Sequence, residues 1–166
     1  MGMVVTCNLN RMEVDKVMQY LQKYGVRLVK DGRHYTLPVV FEDPVNSSED
    51  VAKMLYSFFD LATVEQFLVL GLNARNRIDS LHVVSEGSLT ASIVHPREVF
   101  RRAILNGNAS IILAHNHPSG DPTPSKDDMD ITKELVEGGK LLQIRVLDHI
   151  IVGDGHYTSL GSKGLI

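Results

Sequence analysis

Ala114-His115-Asn116-His117-Pro118-Ser119-Gly120-Asp121-Pro122-Thr123-Pro124-Ser125-Lys126-Asp127-Asp128 decides how the rest of this chain is read. Ala109 to Ala114, running into it, reads as a buried central strand. Side chains alternate along a strand, so His115 and His117 share one face while Asn116 points to the other. Pro118 lacks an amide hydrogen and stops the strand, and the Gly- and Pro-rich segment turns the chain back. A helix opens at Ser125. Asp128 falls in its first turn, where a carboxylate can return to the cavity that the two imidazoles face.

Each half of this pattern has a plain reading. Two histidines at i and i+2 can be a surface coincidence, and Ser-x-x-Asp is a helix capping box that needs no ligand. Joined through a strand-loop-helix turn, they specify a site. His115, His117 and Asp128, with a fourth position left for water, describe a catalytic rather than a structural zinc centre. Ser125 can serve twice, capping the helix and facing the substrate with its hydroxyl.

Working outward, Pro96 suits the first position of a helix that Gly107 closes. Ser125 to Val136 is expected as a helix and Ile144 to Val152 as a strand, with turn residues in the tail. Upstream, Ser47 and Asp50 form a capping box for a helix running to about Thr63. Phe67 to Leu72 and Ser80 to Val84 alternate as strands around a turn at Asn73 to Asp79, and Ser92 to Val94 is a third short extended piece. Met12, Val17, Leu21 and Tyr24 give residues 10 to 24 a helical stripe, and Lys30-Asp31-Gly32-Arg33 sits between two alternating runs as a hairpin turn. The polar stretch Glu42 to Ser48 is the candidate linker. The expected organisation is a small N-terminal helix plus hairpin over residues 1–45 and a mixed α/β domain over residues 46–166.

Composition narrows the partners. The 166 residues are 43% hydrophobic and 22% charged, which suits a globular chain with a real core. No apolar stretch approaches the ~20 residues of a membrane-spanning helix, and Met3-Val4-Val5 is too short for a secretory signal core. The cytoplasm is the expected location. Met1-Gly2-Met3-Val4-Val5-Thr6 fits the loose myristoylation pattern, which arises easily by chance. One cysteine excludes a disulfide framework and any multi-cysteine zinc knuckle. With 17 basic against 20 acidic residues and a net charge of −3, no basic stripe marks a nucleic-acid surface.

His115-x-His117, seven residues, Ser125, two residues and Asp128 together resemble the JAMM motif of the JAB/MPN metalloprotease fold. Leu113 to Gly120 with Pro124-Ser125, Ala91 to Glu98, and Val146 to Gly155 resemble the RadC family within that fold. The likeness covers roughly residues 47 to 166. It implies a central mixed sheet flanked by helices, of cytidine-deaminase-like architecture. It also implies zinc as cofactor, with an amide or isopeptide bond as the substrate. RadC proteins commonly carry a helix-hairpin-helix module upstream, and residues 1 to 45 show no such Gly-rich signature. The family's general base is a glutamate that precedes the first core strand, and Glu65 occupies the matching place. The resemblance thus implies that Glu65 moves the proton, while Ser125 hydrogen-bonds the oxyanion.

Glu86 and Glu98 are rival carboxylates. Glu86 lies in a Ser-Glu-Gly turn, and Glu98 stands four residues before Arg102 as a solvated helix pair. His95 reads as a helix-start residue. His149, beside Asp148 in a strand, reads as a hydrogen-bonded structural histidine, with support of a metal-bound imidazole as the other reading. His34, His82 and His156 carry no pattern. Two other functions compete with hydrolysis: a DNA-repair or mobile-element accessory protein, against which the acidic balance speaks, and a non-catalytic interaction module, against which the intact ligand set speaks. His-Glu-x-x-His is absent, and one cysteine cannot supply a deaminase zinc site.

Overall fold

A strand apolar on both faces needs cover on both, and the architecture follows from supplying it. The structure, a computed structural model, describes residues 6–7, 29–31, 34–36, 44–59, 62–87 and 94–166. In chain order the described strands are β1 (Thr6–Cys7), β2 (Val29–Asp31), β3 (His34–Thr36), β4 (Gln66–Leu72), β5 (Ile78–Glu86), β6 (Ser110–Asn116), β7 (Arg145–Val152) and β8 (Tyr157–Ser159). The described helices are α1 (Ser48–Phe59), α2 (Pro96–Asn106) and α3 (Lys126–Leu142). The main sheet has the order β5-β4-β6-β7-β8, with β6 at its centre and buried at every position. The fold is mixed α/β, as expected.

Helix α1 covers one face, packing Val51, Leu55 and Phe59 on Leu68, Leu70, Ile112 and Ile150. Helices α2 and α3 cover the other, with Val99, Phe100 and Leu135 against Phe67, Val69, Ile111 and Leu113. Each large apolar side chain fully buried this way contributes roughly 1.5–3 kcal/mol, so both interfaces are strongly held. Strands β6 and β7 are parallel, which demands a long crossover, and α3 is that crossover. The other pairs of the main sheet are antiparallel.

Several expected boundaries shift. Helix α1 opens at the Ser47 cap, whose Oγ accepts the Asp50 amide at 3.1 Å, but it ends at Phe59 and not Thr63. The Ala62 amide turns back to the Phe59 carbonyl at 2.9 Å. Strand β5 runs from Ile78 to Glu86, longer at both ends than Ser80 to Val84, because it pairs with all of β4. Helix α3 runs to Leu142, past the expected stop at Val136. Gly138 and Gly139 are there for close approach: a Cβ on Gly139 would meet the Ile144 carbonyl oxygen at 2.5 Å. Gln143, with φ 57°, closes the helix instead.

Strand β8 was hidden among the turn residues of the tail. Val45, inside the expected linker, packs on the α1-side core and donates its amide to the Asn76 carbonyl at 2.9 Å. Of the N-terminal expectations, the hairpin appears as β2 and β3, paired antiparallel with Asp31 opposite His34, and β1 adds to β3. The helix expected over residues 10 to 24 lies outside the described residues. So do Ser92 and Ile93, while Val94 lies outside any strand.

Candidate metal centre

The centre forms where β6 emerges from the sheet. Antiparallel pairing sets Phe67 opposite His115, so Glu65, two residues before Phe67, falls on the same face as the imidazole. Asn116 points the other way and holds that segment. Its Oδ1 accepts the Gln66 amide at 2.8 Å, and its Nδ2 donates to the Val64 carbonyl at 3.1 Å. The Glu65 carbonyl itself accepts the Gly87 amide at 2.8 Å. The backbone on both sides of Glu65 is therefore fixed.

The loop after Pro118 is pinned as tightly. The Asp154 amide donates to the Gly120 carbonyl at 2.9 Å, and a Cβ on Gly153 would collide with that same carbonyl oxygen. Within the loop His117 Nδ1 meets the Asp121 carbonyl at 2.7 Å, which turns Nε2 inward. Helix α3 then opens on a full capping box. Ser125 Oγ accepts the Asp128 amide at 3.1 Å, and Asp128 Oδ2 accepts the Ser125 amide at 2.7 Å. The cap aims the Asp128 carboxylate back at the histidines.

The donor atoms converge. His115 Nε2 and His117 Nε2 are 3.0 Å apart. Asp128 Oδ1 lies 3.2 Å from His115 Nε2, and Oδ2 lies 3.5 Å from His117 Nε2. Tetrahedral zinc with bonds of ~2.0–2.1 Å places its donors about 3.3–3.4 Å apart, so these three fit. Glu65 Oε1 stands farther out, 4.0 Å from His115 Nε2, and the four donors all lie within 4.8 Å of one another. His115 and Asp128 are fully buried, whereas His117 and Glu65 each keep 17% of their side chains exposed. Asp128 Oδ1 is buried with no hydrogen-bond partner, although an imidazole nitrogen is beside it. An orphaned carboxylate oxygen beside the His115 nitrogen, on a carboxylate whose other oxygen faces His117, is part of the donor set that a divalent cation completes.

The same contacts shift the groups' protonation. Burial works to raise the Asp128 carboxyl, but the His115 and His117 imidazoles and the Ser125 hydroxyl outweigh it and hold it well below the ordinary carboxylate range. His117 is raised, chiefly by Asp128. Burial drives His149 well below the ordinary histidine value.

Of the residues singled out in the sequence, the structure gathers Glu65, His115, His117, Ser125 and Asp128. The Ser125 hydroxyl donates to Asp128 Oδ2 at 2.6 Å. Glu86 is instead engaged by Gln66 Nε2 at 2.7 Å. Glu98 pairs with Arg101 at 3.0 Å and Arg97 at 3.5 Å, not with the expected Arg102. His95 is the N-cap of α2 without a side-chain capping bond. His156 Nδ1 meets the Asp154 carbonyl, and buried His82 meets Asn106 Nδ2 at 2.8 Å. His149, read first as a structural histidine, places Nε2 2.8 Å from His115 Nδ1. Asn116 escaped the sequence reading, since its partners come from a segment that only strand pairing brings near.

Comparison with known proteins finds relatives along most of the chain. The family profile described as RadC-like JAB domain matches residues 45–165. The chain is 42% identical over 169 residues to a UPF0758 protein of Methanosarcina mazei, covering 96% of this chain and 74% of that protein. It is 43% identical to a UPF0758 protein of Methanosarcina acetivorans with the same coverage. The UPF0758 protein STH371 of Symbiobacterium thermophilum is 56% identical over 104 residues, 63% of this chain and 44% of that protein. Among the described residues, no helix is long and apolar enough to cross a membrane.

Proposed function

The chain belongs to the family of RadC-like JAB domains, and on that premise we propose that it is a zinc-dependent hydrolase of the JAMM type that cuts an amide or isopeptide bond with water. The observation that carries this reading is the convergence of Glu65, His115, His117 and Asp128 around the unpartnered Asp128 Oδ1. His115, His117 and Asp128 are the ligands in this proposal. Zinc held by them supplies Lewis acidity and lowers the pKa of a water to ~7.

The chain's own groups do the rest. Glu65 stands outside the tight triangle of donors and is partly open to solvent, which suits a group that exchanges protons and not a ligand. It accepts the proton of the attacking water and returns it to the leaving nitrogen. Ser125 Oγ is held in place by the Asp128 amide, so only its hydrogen must turn from Asp128 Oδ2 toward the developing oxyanion. The capping box thus keeps the oxyanion donor preorganised.

Glu65→Gln separates metal binding from proton transfer. Gln is nearly isosteric and cannot take up a proton, so this variant should keep its zinc and lose ~10²- to 10⁴-fold in turnover on a peptide and isopeptide substrate panel. His117→Ala should lose zinc and activity together. Full turnover in Glu65→Gln would remove Glu65 from the mechanism.

A further inference from the structure

The face of the centre that looks into the protein carries a chain of short contacts. His115 Nδ1 lies 2.8 Å from His149 Nε2. His149 Nδ1 lies 2.5 Å from Thr132 Oγ1, which also lies 2.5 Å from the Asp128 backbone carbonyl oxygen. The chain therefore starts at one proposed ligand on β6, passes through β7, and ends on the residue of α3 that bears another. His115 and His149 are fully buried and Thr132 nearly so, so water does not interrupt it.

Hydrogen counting gives this chain one direction. Thr132 has a single hydroxyl hydrogen and two short contacts. The Asp128 carbonyl brings no hydrogen, so the hydroxyl must donate there. The contact to His149 then needs its hydrogen from the ring, which places a proton on His149 Nδ1. A second proton on His149 would bury a cation whose ring neighbours are His115, Thr132 and Phe67. His149 is accordingly neutral, with a lone pair on Nε2. That lone pair accepts from His115, whose proton must sit on Nδ1.

We infer that His149 is a positioning residue that, anchored by Thr132, fixes the proton of His115 on Nδ1 and leaves the Nε2 lone pair facing the Glu65–His117–Asp128 cluster. Without this lock, His115 Nε2 could carry the proton toward Asp128 Oδ1, 3.2 Å away, and the cluster would be filled by its own hydrogen bond. An imidazole here takes the place usually held by a carboxylate or a backbone carbonyl behind a ligand histidine. It orients the ring without adding a further negative charge beside Asp128 and Glu65. The inference rests on the metal reading for its binding consequence, but the tautomer itself is a property of the metal-free chain.

The test uses two readouts on the whole chain. Long-range ¹⁵N–¹H spectra of chelator-treated protein, at a pH where the imidazoles are neutral, should show His115 protonated at Nδ1; protonation at Nε2 overturns the inference. Zinc affinity, measured with the metal alone in competition with a chromophoric chelator, should fall ~10- to 100-fold in His149→Phe and in Thr132→Val. Thr132→Ser, which keeps the hydroxyl, should restore both the tautomer and the affinity. Thr132→Val alters no proposed ligand side chain, and it keeps the test decisive if His149→Phe does not fold. Unchanged zinc affinity and an unchanged His115 tautomer in Thr132→Val refute the inference. A wild-type chain that binds no zinc refutes the proposed function instead, while the tautomer is still read.

Discussion

Replacing Asp148 by alanine should destabilise the fold severely, and the structure allows the cost to be worked out. The carboxylate is almost fully buried between β7, β8 and the start of α1. Its Oδ1 accepts the His149 amide at 2.7 Å and the Gly161 amide at 2.8 Å. Its Oδ2 accepts the hydroxyls of Ser48 at 2.8 Å and Ser159 at 2.6 Å. The hydroxyls have somewhere else to go: Ser159 Oγ is 3.0 Å from Ser162 Oγ, and Ser48 Oγ is 3.3 Å from Ser159 Oγ. The two amides do not. Leaving each unpaired costs about 1–3 kcal/mol, so Asp148→Ala should lose about 2–6 kcal/mol. That is a large share of the ~5–15 kcal/mol that holds a domain folded. Asp148→Asn should lose about 1–2 kcal/mol, because its carbonyl oxygen can serve both amides while its NH₂ faces hydroxyls able to turn and accept. Urea titrations of the three proteins read these differences directly. A loss below about 1 kcal/mol in the alanine variant would refute the premise that this carboxylate is what satisfies those amides.

Other consequences are as definite. Asn116→Ala removes both clamps on the Glu65 segment; it should retain zinc and lose about 1–3 kcal/mol in a urea melt, with turnover falling as Glu65 goes out of place. Intact turnover in that variant would show that Glu65 is positioned by other means. His82 is lowered by burial and by Arg102 from 6.5 to about 4, so the folded state stays neutral where the unfolded chain gains a proton. Its contribution is complete above pH 6.5, erodes as pH falls toward about 4, and is then lost, to an extent of about 3 kcal/mol. His82→Gln should flatten that acid limb when stability is compared at about pH 7 and about pH 4; an unchanged limb would contradict the assignment.

The legible parts of this protein are those that local geometry dictates. His115, His117 and Asp128 could be joined from sequence because strand alternation and one helical turn are short-range rules. The central strand announced itself by being apolar on both faces. Glu65 needed the family resemblance, since what brings it to His115 is the register of β4 against β6 across 50 residues. The role of Asn116 was out of reach for the same reason, and for His149 the sequence left two readings open, because the neighbours of both are supplied by strand pairing. The helix expected to stop at Val136 continues through Gly138 and Gly139, whose lack of a side chain the packing of α3 on Phe100 and Ile144 requires. Strand β8 has only three residues, too few for alternation to stand out.

The central claim is that His115, His117 and Asp128 hold one catalytic metal ion. Elemental analysis combined with zinc-edge absorption spectroscopy on the purified chain tests it most directly. About one zinc per chain is expected, bound by two imidazoles and one carboxylate at ~2.0–2.2 Å, with occupancy abolished in His117→Ala and preserved in Glu65→Gln. A chain that binds no zinc at neutral pH, or binds it equally well in His117→Ala, would rule out His115, His117 and Asp128 as its metal site.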